Sequence, residues 1–328
     1  MPTDASTAGP SYSRTDEWFD SEGVRCAAAV FRPAAATADT PAVVMAHGFG
    51  TPRAVRLFNY ADVFARAGYV VVVFDYRHFG DSEGEPRQLL DISKQHQDYR
   101  NAIAYARALD GARARRIVGW GTSFAGGHVL SLAGNGEDFA AAIAQVPHVS
   151  GPAAVRATGL RNTLRVLPSA VIDQTRALLK RSPRYINSVG RPGDVAVMTS
   201  PDAMDARDRL IVESGLNISD YPETVAARIL LKIGLYSPGR TAAAITCPTL
   251  IQIMSDDAVT PAFIAQTVAS KIPRATVHVH RGGHFDPYVE PLFPTVVDEQ
   301  LSFLKTACPS RTRKVKAPHT EHGLPPGY

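Results

Sequence analysis

Ser123 stands in a sequence environment that is typical of a catalytic nucleophile. The segment Gly119–Gly127 leads from a short apolar run into a second apolar stretch, as expected where a buried strand passes into a helix. The residues two before and two after such a serine must be small, because the two backbones nearly touch, and Gly121 and Ala125 meet this requirement. A phosphate-binding or purely structural loop is the alternative. A dinucleotide fingerprint is excluded, because Phe124 takes the place of its third glycine.

Two further residues could activate this serine. A serine hydroxyl is a weak nucleophile and needs a base that is held in place by an acid. His284 lies in a glycine loop after the apolar run 275–280, and Asp257 follows the apolar run 249–254. Each has a simpler interpretation, His284 as a solvated loop residue and Asp257 as a helix cap. Their position at successive strand ends, in the order serine, aspartate, histidine, favours a catalytic triad.

These three blocks resemble the motifs of the α/β-hydrolase family. Gly121–Ala125 resembles the nucleophile elbow Gly-x-Ser-x-Gly, with alanine in place of the last glycine. In that family the acid usually precedes a proline by four residues, and Pro261 therefore selects Asp257 rather than Asp256. The pattern of blocks is most similar to esterases and dipeptidyl-peptidase-like serine hydrolases.

The same resemblance implies an oxyanion hole. Acyl transfer needs donors for the oxygen that becomes negative, and two converging backbone N–H groups suffice. His47–Gly50 resembles the family's oxyanion loop, so the implied donors are the backbone N–H groups of Phe49 and Phe124. An ordinary glycine turn is the alternative for this loop. The block Phe74–Gly84 matches a further loop of the family, which we interpret as structural.

The elements that must position these residues alternate between strands and helices. Short apolar runs without alternation predict buried parallel strands, and helical periodicity separates them. We therefore predict a doubly wound, mostly parallel sheet, which is the α/β-hydrolase fold. The predicted strands are 42–45, 69–74, 116–120, 141–146, 249–254 and 275–280, with a hairpin over 17–31 that turns at Glu22-Gly23 and helices that follow Asp91, at 261–272 and around 297–304. The first of these helices is expected to stop at Asp110-Gly111.

A long insertion interrupts this alternation. We predict a helical cap at 148–240 over a discontinuous core, 15–147 and 241–306, with a flexible leader at 1–14 and a basic flexible tail at 307–328. Helices are expected at 170–180 and 224–235. The apolar residues expected to line a substrate pocket include Leu160, Leu164, Val166, Leu167, Val171, Ile172, Leu178, Leu179, Ile229, Leu230, Leu231, Ile233 and Leu235. The formal charge of +5 in this segment could favour an anionic group on the substrate, although solvated arginines paired with local acids explain it equally well.

Composition excludes several other classes of protein. Apolar residues make up 45% of the 328 residues, but no apolar run approaches the roughly 20 residues of a membrane span. The excess of cations is confined to the insertion and the tail, which argues against nucleic-acid binding. Three widely spaced cysteines indicate reduced thiols, and the absence of a secretory signal pattern predicts a cytoplasmic protein. His278 and His280 lie near His284, but no cysteine or carboxylate completes a known ligand spacing, so we expect neither a metal site nor a cofactor.

The resulting functional hypothesis is a serine hydrolase that cleaves a carboxylic ester through an acyl-enzyme on Ser123. A thioesterase, an amidase or peptidase, or an acyltransferase would use the same residues. A non-catalytic ligand-binding member of the fold is the alternative from a different class. The expected partner is a small-molecule ester, and the sequence leaves a homodimer open as the oligomeric state.

Overall fold

The computed structural model describes residues 12–109, 116–222 and 224–310. The strands are β1 Tyr12–Ser21, β2 Val24–Pro33, β3 Ala42–Ala46, β4 Val70–Phe74, β5 Ile117–Thr122, β6 Ala141–Gln145, β7 Tyr185–Val189, β8 Ala196–Met198, β9 Thr224–Ala226, β10 Thr249–Met254 and β11 Ala275–His280. The helices are α1 Leu57–Arg66, α2 Ile92–Ala108, α3 Phe124–Gly134, α4 Gly151–Thr158, α5 Leu160–Leu178, α6 Ala203–Glu213, α7 Leu230–Ile233, α8 Ala262–Ala269 and α9 Phe293–Ala307. Each predicted core strand is present within one or two residues of its expected bounds.

The main sheet has eight strands in the order β1-β2-β4-β3-β5-β6-β10-β11. The strands β1 and β2 pair antiparallel with each other, β2 pairs antiparallel with β4, and the remaining neighbours are parallel. Every residue of β3, β4, β5, β6 and β10 is buried, which explains their unbroken apolar runs. The predicted hairpin turn is confirmed, since Glu22 and Gly23 both have positive φ, as the tight hairpin turns require.

Helices cover both faces of this sheet, as the predicted α/β-hydrolase fold requires. The core on one face includes residues of α2, α3 and α8, and the core on the other includes residues of α1 and α9. Asp91 caps α2 by accepting hydrogen bonds from the N–H groups of Ser93 and Lys94. The predicted stop of this helix at 110–111 lies outside the described residues.

The insertion between β6 and β10 is a mixture of helices and strands rather than wholly helical. A three-stranded sheet, β8-β7-β9, lies among α4, α5, α6 and α7. The helix predicted at 224–235 is wrong in its first part, which is β9, a short 3-10 turn and only then α7. The reason is tertiary pairing, because Val225 is buried and pairs with Ile186 of β7. The helix predicted at 170–180 is the second half of the longer α5.

Both predicted terminal boundaries need adjustment where the chain is described. Residues 12–14 belong to β1 and so are part of the sheet rather than of a leader. At the other end Cys308 is buried, and the Ser310 hydroxyl donates a hydrogen bond of 2.8 Å to the Gly68 carbonyl. The rest of the predicted leader and tail, 1–11 and 311–328, lies outside the described residues. Within the described ranges, no helix combines the length and the apolar character that a membrane crossing needs.

Candidate active site

Ser123 occupies a strained turn between β5 and α3. Its backbone has φ 55° and ψ −116°, a conformation that is costly for a residue with a side chain and that recurs at functional sites. A Cβ added to Gly121 would lie 2.2 Å from the Ala125 carbonyl oxygen, so only glycine fits there. Ala125 is fully buried and keeps its helical conformation, which shows that the methyl group is accommodated on the other side of the elbow.

The three residues predicted as a triad lie in one chain of hydrogen-bond contacts. His284 Nε2 is 2.9 Å from Ser123 Oγ, and His284 Nδ1 is 2.7 Å from Asp257 Oδ2. The side chains of His284 and Asp257 are almost completely buried. The neighbouring Asp256 is exposed, so the geometry favours Asp257 as the partner of the histidine.

The Asp257 carboxylate is held by more than the histidine. Its Oδ1 accepts hydrogen bonds from the N–H groups of Val259 at 2.8 Å and Thr260 at 2.6 Å, and its Oδ2 accepts one from the Thr260 hydroxyl at 2.8 Å. Burial alone would raise the pKa of Asp257, but the attraction of His284 and the hydrogen bonds from His284 and Thr260 outweigh burial and lower this pKa. The carboxylate is therefore kept charged and oriented.

Parallel strands bring these loops to one edge of the sheet. Ser123 follows β5, Asp257 follows β10 and His284 follows β11, and the carboxyl ends of parallel strands meet on the same side. The loops after β10 and β11 are joined directly, since the Asp256 N–H donates to the Gly282 carbonyl at 2.9 Å. The acid and the histidine are thus positioned as one unit.

The loop that contains Phe49 lies against the nucleophile. A Cβ added to Gly48 would lie 3.1 Å from the Cβ of Ser123, so this close approach depends on glycine. Phe49 and Phe124 pack edge to face, with ring centroids 5.6 Å apart. The Phe124 amide is the first of helix α3 and has no acceptor within that helix. Both predicted oxyanion donors therefore belong to residues beside Ser123.

The block interpreted as structural supports this loop. Asp75 is buried and accepts hydrogen bonds from the N–H groups of Arg53 at 2.7 Å and Asp81 at 3.1 Å, and it forms a short ion pair with the Arg53 guanidinium. His47 lies on the other side, with Nε2 3.7 Å from Asp75. Burial lowers the pKa of His47 despite this carboxylate, so the ring is neutral near neutral pH.

Two cavities border Ser123. The larger, of about 230 Å³, has a wall formed by the predicted oxyanion residues, helix α4, strand β8 with the residues that follow it, and the loop after Asp257. Its lining residues are Phe49, Ser123, Phe124, His148, Ala154, Ala157, Thr158, Val197, Met198, Thr199, Ser200, Pro201, Ile233, Ala258, Val259 and Thr260. A smaller cavity of about 50 Å³ also reaches Ser123 and is lined by Leu210, His284 and Tyr288 among others.

The cavity lining differs from what the sequence suggested. Of the apolar insertion residues expected in the pocket, Ile233 alone lines the larger cavity, whereas Leu160, Leu164 and most of their neighbours on α5 are exposed. No lysine or arginine lies among the described residues that line either cavity. The expected preference for an anionic substrate group therefore has no support in the cavity itself. The apolar character of the expected pocket is present, but within the insertion it comes mainly from Val197 and Met198 of β8 and from small residues of α4.

His148 is a cavity residue that sequence reasoning did not identify. It is buried directly after β6 and stacks on Tyr236 with ring centroids 5.8 Å apart. Its Nε2 donates a hydrogen bond of 3.2 Å to the Tyr236 carbonyl, so Nδ1 is left as an acceptor. Burial lowers the pKa of His148 to about 4, which keeps the ring neutral near neutral pH. Its place at the carboxyl end of a core strand was the available signal.

Comparisons with known proteins agree with this geometry. Residues 22–286 match the family model for X-Pro dipeptidyl-peptidase of the S15 family. The quorum-quenching protein AidA of Acinetobacter baumannii is 42% identical over 294 residues, which cover 90% of this chain and 95% of the relative. The polyketide transferase grgF of Penicillium is 26% identical over 275 residues, which cover 81% of this chain and 87% of the relative.

Solved structures show the same fold. The crystal structure of the α/β-hydrolase GrgF from Penicillium superposes with a TM-score of 0.73 at 21% identity, covering 89% of this chain and 98% of that one. Est1E from Butyrivibrio proteoclasticus, solved with ferulic acid bound, superposes with a TM-score of 0.60 at 15% identity, covering 88% and 97%. At these identities the likeness concerns the fold. The family model matches most of the chain, and AidA is 42% identical over 90% of it. This chain therefore belongs to the S15 family of α/β-hydrolases and is a serine hydrolase of that type.

Proposed function

We propose that this protein hydrolyses a carboxylic ester through an acyl-enzyme on Ser123. The observation that carries the proposal is the contact chain from Ser123 Oγ through His284 to Asp257, with distances of 2.9 and 2.7 Å. These distances lie within the range needed for proton transfer between a nucleophile, its base and the acid that orients the base.

In the first half-reaction Ser123 Oγ attacks the carbonyl carbon while its proton passes to His284 Nε2. Asp257 stabilises the resulting imidazolium and fixes the ring orientation through Nδ1. The oxygen of the tetrahedral intermediate receives hydrogen bonds from the N–H groups of Phe49 and Phe124. When the intermediate collapses, His284 returns the proton to the departing alcohol. Water then repeats the sequence on the acyl-enzyme, releases the acid and restores Ser123.

The substrate we propose has an uncharged, apolar acyl part. The larger cavity is lined mainly by apolar side chains, and the polar side chains that face it are Ser123, short hydroxyl residues and His148, whose burial lowers its pKa to about 4. The relative AidA is described as quorum-quenching, and this supports a quorum-sensing signal as the class of substrate to test first. Acylated lactones are signals of this kind, and a lactone is a cyclic ester that Ser123 can open by the same steps.

Acyl transfer is the second candidate, and it is favoured by the similarity to a polyketide transferase. The first half-reaction is identical, and the outcome depends on whether water or another nucleophile attacks the acyl-enzyme. A thioester or an amide could also supply the acyl group. A panel of matched oxygen esters, thioesters and amides with the same acyl chain, assayed with and without added alcohols, separates these possibilities.

The test of the proposal is Ser123→Ala, with Ser270→Ala as a matched control at an exposed serine on the far end of α8. We expect Ser123→Ala to abolish ester and lactone hydrolysis and labelling by a fluorophosphonate, while circular dichroism shows an intact fold. The control should retain both activities. If the fluorophosphonate does not label the wild-type protein and no substrate of the panel is hydrolysed, the result would instead support a non-catalytic ligand-binding protein.

A further inference from the structure

A cluster of potential metal ligands joins the last strand to the last helix. His278 and His280 are two residues apart in β11 and so project from the same face of the strand. Glu299 of α9 reaches both, with Oε1 2.8 Å from His278 Nδ1 and Oε2 2.9 Å from His280 Nε2. All the ligand atoms lie within 4.8 Å of one another. The carboxylate comes from the helix that follows the strand, 19 residues after His280, and His284 belongs to the predicted catalytic contacts instead.

This donor set fits a borderline transition-metal dication. Two imidazole nitrogens and a carboxylate oxygen are the ligands of many Zn²⁺ sites, whereas Mg²⁺ and Ca²⁺ prefer oxygen alone. With metal–ligand bonds of about 2.1 Å, ligand atoms in a tetrahedral site lie about 3.4 Å apart, and those of this cluster lie within 4.8 Å of one another, so a small closure would complete the site. The three side chains are only partly buried, which leaves room for water as a fourth ligand.

The Glu299 carboxylate is held in place by a hydrogen bond from Gln252. Gln252 Nε2 donates hydrogen bonds to Glu299 Oε2 at 2.8 Å and to the Val296 carbonyl at 2.9 Å. Such supporting contacts fix the direction of a ligand and sustain metal affinity. Because Gln252 belongs to β10, the cluster links two neighbouring strands and a helix.

We propose that His278, His280 and Glu299 bind a Zn²⁺-type ion that fastens the edge strand β11 to α9. Among the described strands β11 is at the end of the sheet and pairs on one side only, so a link to α9 stabilises the edge. His284 follows His280 by four residues, and the loop that carries it starts at this strand. The ion acts on stability and takes no part in the proposed ester chemistry.

The test is Zn²⁺ binding by the full chain after treatment with a chelator, measured by isothermal titration calorimetry. We expect one ion per chain, a rise in Tm on adding Zn²⁺, and d–d absorption when Co²⁺ is used instead. Glu299→Gln and the double change His278→Ala with His280→Ala should each abolish the bound ion and the Tm shift. A control with His319→Ala and His322→Ala removes the other closely spaced histidine pair of the C-terminal region and should retain both. Binding that survives the first two variants, or that is lost in the control, overturns the proposal, as does a lack of binding by the wild-type chain.

A second, independent feature is the outward face of α5. Large apolar side chains there are exposed, with Leu160 at 74% and Leu178 at 75%, and the residues 160, 164, 167, 171 and 178 form a single stripe. The inward face buries polar residues such as Asn162 and Asp173 beside Val166 and Ala170. An ordinary surface helix exposes polar side chains, so the exposed apolar stripe indicates that a partner covers it.

The charged residues beside the stripe indicate what kind of partner covers it. Arg161, Arg165, Lys180 and Arg181 are exposed beside it. Asp173 is the only acidic residue between 160 and 181, and it is buried and paired with Arg228. A second copy of this chain would bring cations against cations. Apolar side chains flanked by exposed cations suit a bilayer that contains anionic lipid.

We infer that α5 lies on an anionic lipid surface, with its apolar stripe at the acyl boundary. The test is co-sedimentation with vesicles of phosphatidylcholine alone or mixed with phosphatidylglycerol, at low and high salt. We expect binding to the mixed vesicles, weakened by salt, and its loss in Leu164→Glu with Leu178→Glu. Phe263→Glu, at an equally exposed apolar residue of α8, is the control that should still bind. Absence of binding by the folded wild type, or concentration-dependent dimers that the double variant abolishes, overturns the inference.

Discussion

Asp257→Asn is the most informative single change, because the structure determines how the new amide must sit. The Asp257 Oδ1 accepts two backbone N–H groups at 2.6 and 2.8 Å, so the amide oxygen has to stay at that position. An NH₂ group placed there would face two donors. The amide NH₂ therefore faces His284 Nδ1, where the carboxylate Oδ2 now accepts at 2.7 Å.

This arrangement forces the wrong tautomer of His284. Nδ1 must then accept from the amide, so Nε2 carries the proton and cannot take one from Ser123 Oγ. An equivalent change in a serine protease lowers kcat about 10⁴-fold, which corresponds to about 5 kcal/mol in the activation free energy. The fold should be retained, because the backbone hydrogen bonds to the side chain survive and the Thr260 hydroxyl can rotate to accept.

Initial rates on an aryl ester, measured across pH, provide the assay, with Tm and circular dichroism as checks on folding. The matched control is Asp256→Asn, since that side chain is exposed and one residue away. We expect the control to stay within about twofold of wild type. A kcat for Asp257→Asn within tenfold of wild type, or a larger loss in the control, would refute the assignment of the acid.

Three further predictions concern the elbow, pH and the C-terminal region. Gly121→Ala should lower the free energy of unfolding by about 1–3 kcal/mol and reduce kcat about 100-fold, because the new Cβ would lie 2.2 Å from the Ala125 carbonyl oxygen and displace Ser123. Urea unfolding measures the first effect and steady-state kinetics the second. Burial lowers the pKa of His148 to about 4, so the unfolded chain binds the proton more readily, and the free energy of unfolding should fall as pH drops from about 6.5 to about 4. His148→Gln should show a shallower fall in the same urea experiment, and an equal slope would contradict the role given to burial. Deletion from 309 onward should give a lower Tm than deletion from 311 onward, measured by thermal unfolding, because it also removes the hydrogen bonds of residues 309 and 310 to the body.

Much of the fold and of the candidate site could be predicted from local sequence. Buried parallel strands need apolar side chains on both faces, so their runs could be located without knowledge of their partners. The turn at Ser123 requires small neighbours within two residues, and this demand is visible in the sequence itself. Asp257 and His284 could be assigned because each follows a recognisable strand.

Pairing between distant segments could not be predicted in this way. Residues 224–226 have enough apolar character for a helix, but they form β9 because β7 lies beside them. The faces of α5 were also partly misjudged, since most of its large apolar residues are exposed, whereas Val166 is buried beside Asp173, which is paired with Arg228. Burial depends on what packs against a helix, and the periodicity of the helix alone does not contain that information.

The sequence by itself determined the order of the strands along the chain, the strained serine turn and the identity of the three residues that meet there. These features depend on contacts between near neighbours and on strand ends that a parallel sheet must bring to one edge. Only the tertiary structure decided that His148 enters the cavity wall and that Glu299 lies between His278 and His280. Those contacts join residues of different elements, and their distances are set by how helices and strands pack, which no local pattern specifies.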